Sequence, residues 1–178
     1  MALRKASAYS RKRARPFTRN SRTKNKAYIK VVPPSKIVKF HMGNQKAFDE
    51  GKHKYIIRYV SEEKIQIRDN SLESCRMLLN KLLEEKLPGQ HYFVIKVYPH
   101  HLLRENKTAA GAGADRISSG MKHSYGIVIG RAAIVQPGEQ ILFVSCPDED
   151  SARVARDIIV KIKAKVPCRG RIVFEKVA

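Results

Sequence analysis

The sequence predicts an α+β fold, a two-layer sandwich of antiparallel or mixed strands with two main helices, carrying an extended basic N-terminal arm and a long internal loop. Three observations lead there. Short β-branched and aromatic runs recur along residues 36–178, two stretches with helical apolar spacing interrupt them, and the first acidic residue is Asp49, with fourteen Lys or Arg before it. The chain therefore divides into a basic arm, residues 1–35, and a globular domain, residues 36–178.

The arm comes first. Residues 1–30 mix Arg, Lys, Ser, Thr and Asn without an amphipathic period, too polar to offset the entropy of ordering, so the free arm is expected to be disordered and to order on RNA. Arg4, Arg11, Arg13, Arg15, Arg19 and Arg22 offer planar forks to phosphates, Lys5, Lys12, Lys24 and Lys26 offer point charges, and the rings of Tyr9 and Phe17 are candidates to stack on bases. Pro16 and Pro33-Pro34 keep parts of it extended. A solvated tail without a partner is the bland alternative.

In the domain, strands are expected at Ile37–His41, Tyr55–Ser61 and Lys64–Arg68. Asn70 or Ser71 then caps a helix with apolar positions Leu72, Cys75, Leu79, Leu82 and Leu83, stopped by Pro88-Gly89. A strand at His91–Tyr98 precedes a loop from Arg104 to Gly120, rich in Gly and Ala. Strands resume at Tyr125–Val135 and Gln140–Cys146, and the turn chemistry of Gln136-Pro137-Gly138-Glu139 between them predicts an antiparallel hairpin. Asp148, Glu149 and Asp150 open a second helix and Lys161, Lys163 and Lys165 close it, each sign at its favourable dipole end. Its apolar face is Ala155, Ile158, Ile159, Ile162 and Val166, and a last strand runs from Arg171 to Val177.

A formal charge of +20 on 178 residues, only +6 of it after residue 48, points to a polyanion partner, with nucleic acid first. The arm lacks the apolar face of an interfacial helix, and no apolar run approaches about 18 residues, so no membrane role is expected. Cys75, Cys146 and Cys168 form no CxxC pair, which predicts neither disulfide framework nor zinc knuckle and a reduced, cytoplasmic setting.

Candidate chemistry is sparse. His91, His100, His101 and His123 lack a carboxylate or Cys at ligand spacing, Gly111-Ala112-Gly113-Ala114-Asp115 lacks the nucleotide-loop pattern, and Ser118-Ser119-Gly120 is no nucleophile elbow. No catalytic residue, metal, cofactor or small-molecule substrate is expected. Glu84-Glu85 and Asp148 to Asp150 read as solvated helix faces. Loop 104–120 is long for a compact domain unless it has a use. Arg104, Lys107, Arg116 and Lys122 can reach phosphates, and its glycines, Gly111 and Gly113 among them, permit close backbone approach. A surface loop without function is the bland alternative.

Residues Tyr98-Pro99-His100-His101-Leu102-Leu103-Arg104-Glu105-Asn106-Lys107, then Gly113-Ala114-Asp115-Arg116 and Gly120-Met121, resemble the signature of large-subunit ribosomal protein ten-e, the archaeal and eukaryotic counterpart of bacterial large-subunit protein sixteen. Val135 to Leu142 and Lys165-Val166-Pro167 with Arg169-Gly170-Arg171 are also similar to that family, and the likeness spans nearly the whole chain. The chain resembles the archaeal branch, because it stops soon after its last strand and its loop centre, Thr108-Ala109-Ala110-Gly111, lacks the bulkier eukaryotic residues. The resemblance implies a hammerhead-type fold at the base of the central protuberance, among rRNA helices and neighbouring ribosomal proteins. It also implies a loop, here Arg104, Asn106, Lys107, Gly111, Gly113, Arg116 and Lys122, that contacts rRNA or aminoacyl-site tRNA near the peptidyl-transferase centre. Two other classes compete: an RNA-acting enzyme, for which no cofactor pocket or acid-base pair is visible, and a DNA-compacting protein, whose usual groove-reading elements are missing.

Overall fold

A computed structural model describes residues 5–10, 15–19, 23–106 and 120–177, apart from the side chains of Lys24, Lys122 and His123. Within the arm lie a helical turn, α1 (Ser7–Ser10), and a 3-10 turn, Lys24–Lys26. The domain runs β1 (His41–Gly43), α2 (Gln45–Asp49), β2 (Tyr55–Ser61), β3 (Ile65–Arg68), α3 (Asp69–Lys86), β4 (Tyr92–Ile95) and β5 (His101–Glu105). A 3-10 turn, Gly120–His123, leads to β6 (Ile127–Val135), β7 (Gln140–Cys146), α4 (Glu149–Val160), a 3-10 turn at Lys161–Ala164 and β8 (Gly170–Lys176). One sheet has the order β1-β4-β7-β2-β8, the other β3-β6-β5, and every pairing is antiparallel. The α+β two-layer class expected from the sequence is what the chain adopts.

The helices form because their apolar residues fall on one stripe, at steps of three and four. Leu72, Cys75, Leu79 and Leu83 of α3 are buried, as are Ala152, Ala155, Ile158 and Ile159 of α4 and Ile162 just beyond it. Helix α4 lies on β2, β7 and β8 of the larger sheet, while α3 packs against α4 and against β3 and β6 of the smaller one. The larger sheet contributes Ile57 and Tyr59, Phe93 and Ile95, and Leu142 with Val144 to the shared core. Ile65, Ile67, Ala133 and Val135 bring one face of the smaller sheet into the same core. Full burial of one such aliphatic side chain contributes about 1.5–3 kcal/mol before the entropy of ordering is subtracted.

Several expectations need correction. The strand expected at Ile37–His41 begins only at His41, because the preceding backbone is spoken for by a helix: Lys36 N–H donates to Asp69 Oδ2 at 3.0 Å and Val38 N–H to Glu73 Oε2 at 3.3 Å. Neither Asn70 nor Ser71 caps α3, which starts at Asp69 after Arg68, and the Ser71 hydroxyl donates instead to the Lys165 carbonyl. Helix α2 was not expected. It is too short to show a period, although Asn44 Oδ1 caps it by accepting from Ala47 N–H at 3.1 Å.

The strand read as His91–Tyr98 is shorter, and a strand that was not expected follows it. β4 ends at Ile95, the chain crosses Pro99, and β5 joins the other sheet, so Arg104 and Glu105 of the expected loop are strand residues. The expected hairpin is a corner between sheets. Gln136 to Glu139 do turn, with Gly138 at φ +83 and Glu139 N–H donating to Gln136 O at 3.1 Å, but Val135 pairs with Ile65 while Gln140 pairs with Val60. Turn residues specify the reversal, not the partner.

Candidate nucleic-acid interface

The smaller sheet brings the arm and the long loop together. β5 runs into residues 107–119 and β6 leads away from them, and because β5 and β6 are paired, the two roots of the loop stand side by side. Arg104 opposes Val128 and Glu105 opposes Ile127 after a register shift at Leu103/Arg104. Gly126 makes this closeness possible. It sits at φ +97, and a Cβ there would lie 3.0 Å from backbone atoms of Glu105, so any side chain would be strained by both conformation and space.

The arm docks on this sheet through a few directional contacts. Tyr9 is buried with Leu103 and Ala132, its hydroxyl donates to Glu105 Oε2 at 3.1 Å, and its carbonyl accepts from Gln66 Nε2 at 2.7 Å. Phe17 lies along β5: its N–H donates to His101 Nδ1 at 2.9 Å and its carbonyl accepts from Leu102 N–H at 3.1 Å. Farther on, Ile29 N–H donates to Arg19 O at 2.9 Å, and the Arg131 guanidinium donates to Pro33 O at 2.7 Å. Tyr9 is thus an anchor in the domain, not a ring presented to bases.

At the loop roots the Arg104 guanidinium is wedged between two rings, 3.7 Å from the Tyr125 centroid and 4.3 Å from that of Phe17. The rings meet at 67°, and Arg104 Nη1 also donates to Tyr125 O at 3.1 Å. Such cation–ring contacts contribute about 0.5–1 kcal/mol each at exposed sites and more when desolvated. Burial, and secondarily the Arg104 charge, lower the pKa of His101 from the usual 6.5. Its Nδ1 accepts the Phe17 amide proton, so the docked ring is neutral.

Of the candidate contact residues, Lys5, Arg15, Arg19 and Lys26 are exposed, and none of them pairs with a carboxylate among the described residues. Arg104 and Asn106 are half-buried at the loop's incoming root. Arg4, Arg11, Lys12, Arg13, Arg22, Lys107, Gly111, Gly113 and Arg116 lie outside the described residues, as do the side chains of Lys24 and Lys122. Sequence reasoning missed Tyr9, Phe17, His101 and Tyr125 as the contacts that organise the site. The one available signal was the isolation of Tyr9 and Phe17 in an otherwise polar arm.

Among the described residues, several other titratable groups have structural explanations. His91 Nδ1 bonds Leu87 O at 2.8 Å, and His100 packs on Tyr98 with centroids 4.5 Å apart. His53 Nδ1 and Ser145 Oγ are 2.8 Å apart but both are buried, and burial, then the nearby His91, lower the pKa of His53. Cys75 and Cys146 are buried thiols pushed up to about 12, chiefly by desolvation, which opposes thiolate chemistry.

Comparison with known proteins adds a consistent set of relatives. The family described as ribosomal protein L16p/L10e matches residues 13–173. The large ribosomal subunit protein uL16 of Staphylothermus marinus is 42% identical over 98% of this chain and 95% of its own length. The proteins of the same name from Nanoarchaeum equitans and Methanococcus aeolicus are 40% identical over 88% of this chain and 84% of the relative, and 39% identical over 99% and 96%.

Proposed function

The chain belongs to the L16p/L10e family of ribosomal proteins, and from that footing we propose that its arm binds large-subunit rRNA near the base of the central protuberance while loop 104–120 supports aminoacyl-tRNA positioning near the peptidyl-transferase centre. Membership makes the protein a structural constituent of the large ribosomal subunit, in a family of structural ribosomal proteins and not of enzymes. The finer assignment rests chiefly on one observation: the cationic arm and both roots of the long loop are seated on the same small sheet, through Tyr9, Phe17 and Arg104.

The physical chemistry fits that division of labour. Exposed Lys5, Arg15, Arg19 and Lys26 can replace counterions on phosphates, giving affinity that falls with salt and carries little sequence information. The larger sheet with α3 and α4 supplies a rigid mount on which the loop roots have a defined direction. A loop of small residues on such a mount can enter a crowded RNA cavity and restrict the freedom of a bound tRNA, while rRNA performs the chemistry. Neighbouring ribosomal proteins and the tRNA are the remaining partners.

The test is a variant with Lys107–Ser119 replaced by a short glycine linker. It should fold and enter large subunits, because arm and core remain, yet dipeptide formation on purified ribosomes should slow at tRNA accommodation. Full incorporation with normal dipeptide formation would refute a functional loop, and a large loss of thermal stability in the free variant would make the loop structural.

A further inference from the structure

We propose that Arg104 is a positioning residue that couples the arm to the loop, its guanidinium clasped by Phe17 of the arm and Tyr125 of the outgoing root so that a seated arm fixes the direction in which the loop leaves the sheet. In its consequence for tRNA this rests on the function proposed above.

Three separate stretches of chain meet at this one cation. Arg104 belongs to β5, the incoming root; Tyr125 lies just before Gly126 and β6, on the outgoing root; Phe17 comes from the arm. Phe17 is held on both sides of its own backbone, its N–H by His101 and its carbonyl by Leu102, which places its ring above Arg104 only when the arm is docked. Tyr9 repeats the connection one residue farther along β5, through Glu105. With both rings against it and one N–H given to Tyr125 O, the guanidinium is committed to the roots. Arginine suits this work because its charge is permanent and its plane stacks on rings, whereas a lysine ammonium would restore the charge without the plane. Coupling of this kind is reciprocal: an RNA that holds the arm in its docked position favours one geometry of the loop roots, and a tRNA that selects that geometry favours the docked arm.

The free, full-length protein decides the coupling itself. Amide exchange at the roots, Glu105, Asn106, Gly126 and Ile127, should rise roughly two- to thirtyfold in Phe17→Ala, the factor that cation–ring contacts make in an opening equilibrium. Amides of β2 and β7 should stay protected, and Phe17→Tyr should restore the roots. Unchanged root exchange in Phe17→Ala with the arm demonstrably released would overturn the coupling. Should that variant melt globally, Tyr125→Leu, which leaves the arm's hydrogen bonds intact, is read in the same way.

On ribosomes with normal occupancy of the protein, Phe17→Ala should slow dipeptide formation, and adding it to the loop-shortened variant should have no further effect. An equal slowing in both backgrounds would also overturn the proposal, since the arm would then act without the loop. If loop shortening alone left dipeptide formation unchanged, the function assigned to the loop would fail while the exchange experiment still decided the clamp.

Discussion

The two sheets are held by different physics. The larger is sealed by area: Leu79 and Leu83 of α3, Ile158 and Ile159 of α4 and Phe93 of β4 are all 0–1% exposed, in one continuous cluster. The smaller shares one face with that cluster, but its side towards the arm has, among the described residues, a small buried cluster of Tyr9, Leu103 and Ala132 with Ala8 and Ile129 packed against it. That side depends instead on directional contacts, such as Tyr9 with Glu105, Phe17 with His101 and the rings around Arg104. Area is forgiving and cooperative, whereas a few polar contacts can be released singly.

The contrast can be broken most forcefully from the core. Leu79→Ala should cost about 2–5 kcal/mol, the usual range for truncating a buried leucine in packing that relaxes only partly, read as a lower midpoint of denaturant unfolding by the whole domain. A loss below about 1 kcal/mol would mean that the larger sheet is no better sealed than the arm's seat. Tyr9→Phe asks the converse question with a smaller change. It keeps the buried ring and removes the hydroxyl bond to Glu105, so about 0.5–1.5 kcal/mol should be lost. Trypsin should then cut the arm between Arg11 and Lys26 faster while the unfolding midpoint hardly moves, and an equal shift of both would join arm and core into one cooperative unit.

What the sequence disclosed follows the same line. Strands Tyr55–Ser61 and Gln140–Cys146 were legible residue for residue, α3 to within a turn, and α4 at its start, because area-driven burial leaves a period in the chain. The lysines expected to close α4 lie beyond its end at Val160, in and after a 3-10 turn. The corner at Pro137-Gly138 and the new strand after Pro99 were illegible, since local chemistry marks a change of direction without naming the next sheet. In the arm, composition disclosed the charge but not the seat. Tyr9 and Phe17 find their partners 96 and 84 residues away, and a single aromatic residue carries no period to announce that.

The smallest expected effect, and the one that most sharpens the difference between the two regions, is the response of the arm to acid. His101 is 5% exposed, its Nδ1 accepts the Phe17 amide proton, and Arg104 lies near it. Burial first and the Arg104 charge second lower its pKa in the docked state below 6.5. The docked arm therefore binds fewer protons at this ring than the released arm does. By linkage, the stability this contact gives is complete above the undocked value, starts to be lost as pH falls through 6.5, and stops falling once pH passes below the docked value. Protection of the Phe17 and Leu102 amides, corrected for intrinsic exchange, should accordingly decline as pH falls through 6.5. His53, buried beneath α2 with a pKa lowered by desolvation and by His91, weakens the larger sheet in the same direction, so amides of β2 and β7 must be followed alongside to separate global opening from release of the arm. His101→Gln makes the separation clean: its side-chain carbonyl can still accept from Phe17 N–H but does not titrate. In that variant the arm should be weaker at neutral pH yet lose its acid dependence, while β2 and β7 retain theirs. A slope at Phe17 that survives His101→Gln would assign the acid response to the common core and show that the arm's seat is not released separately from it.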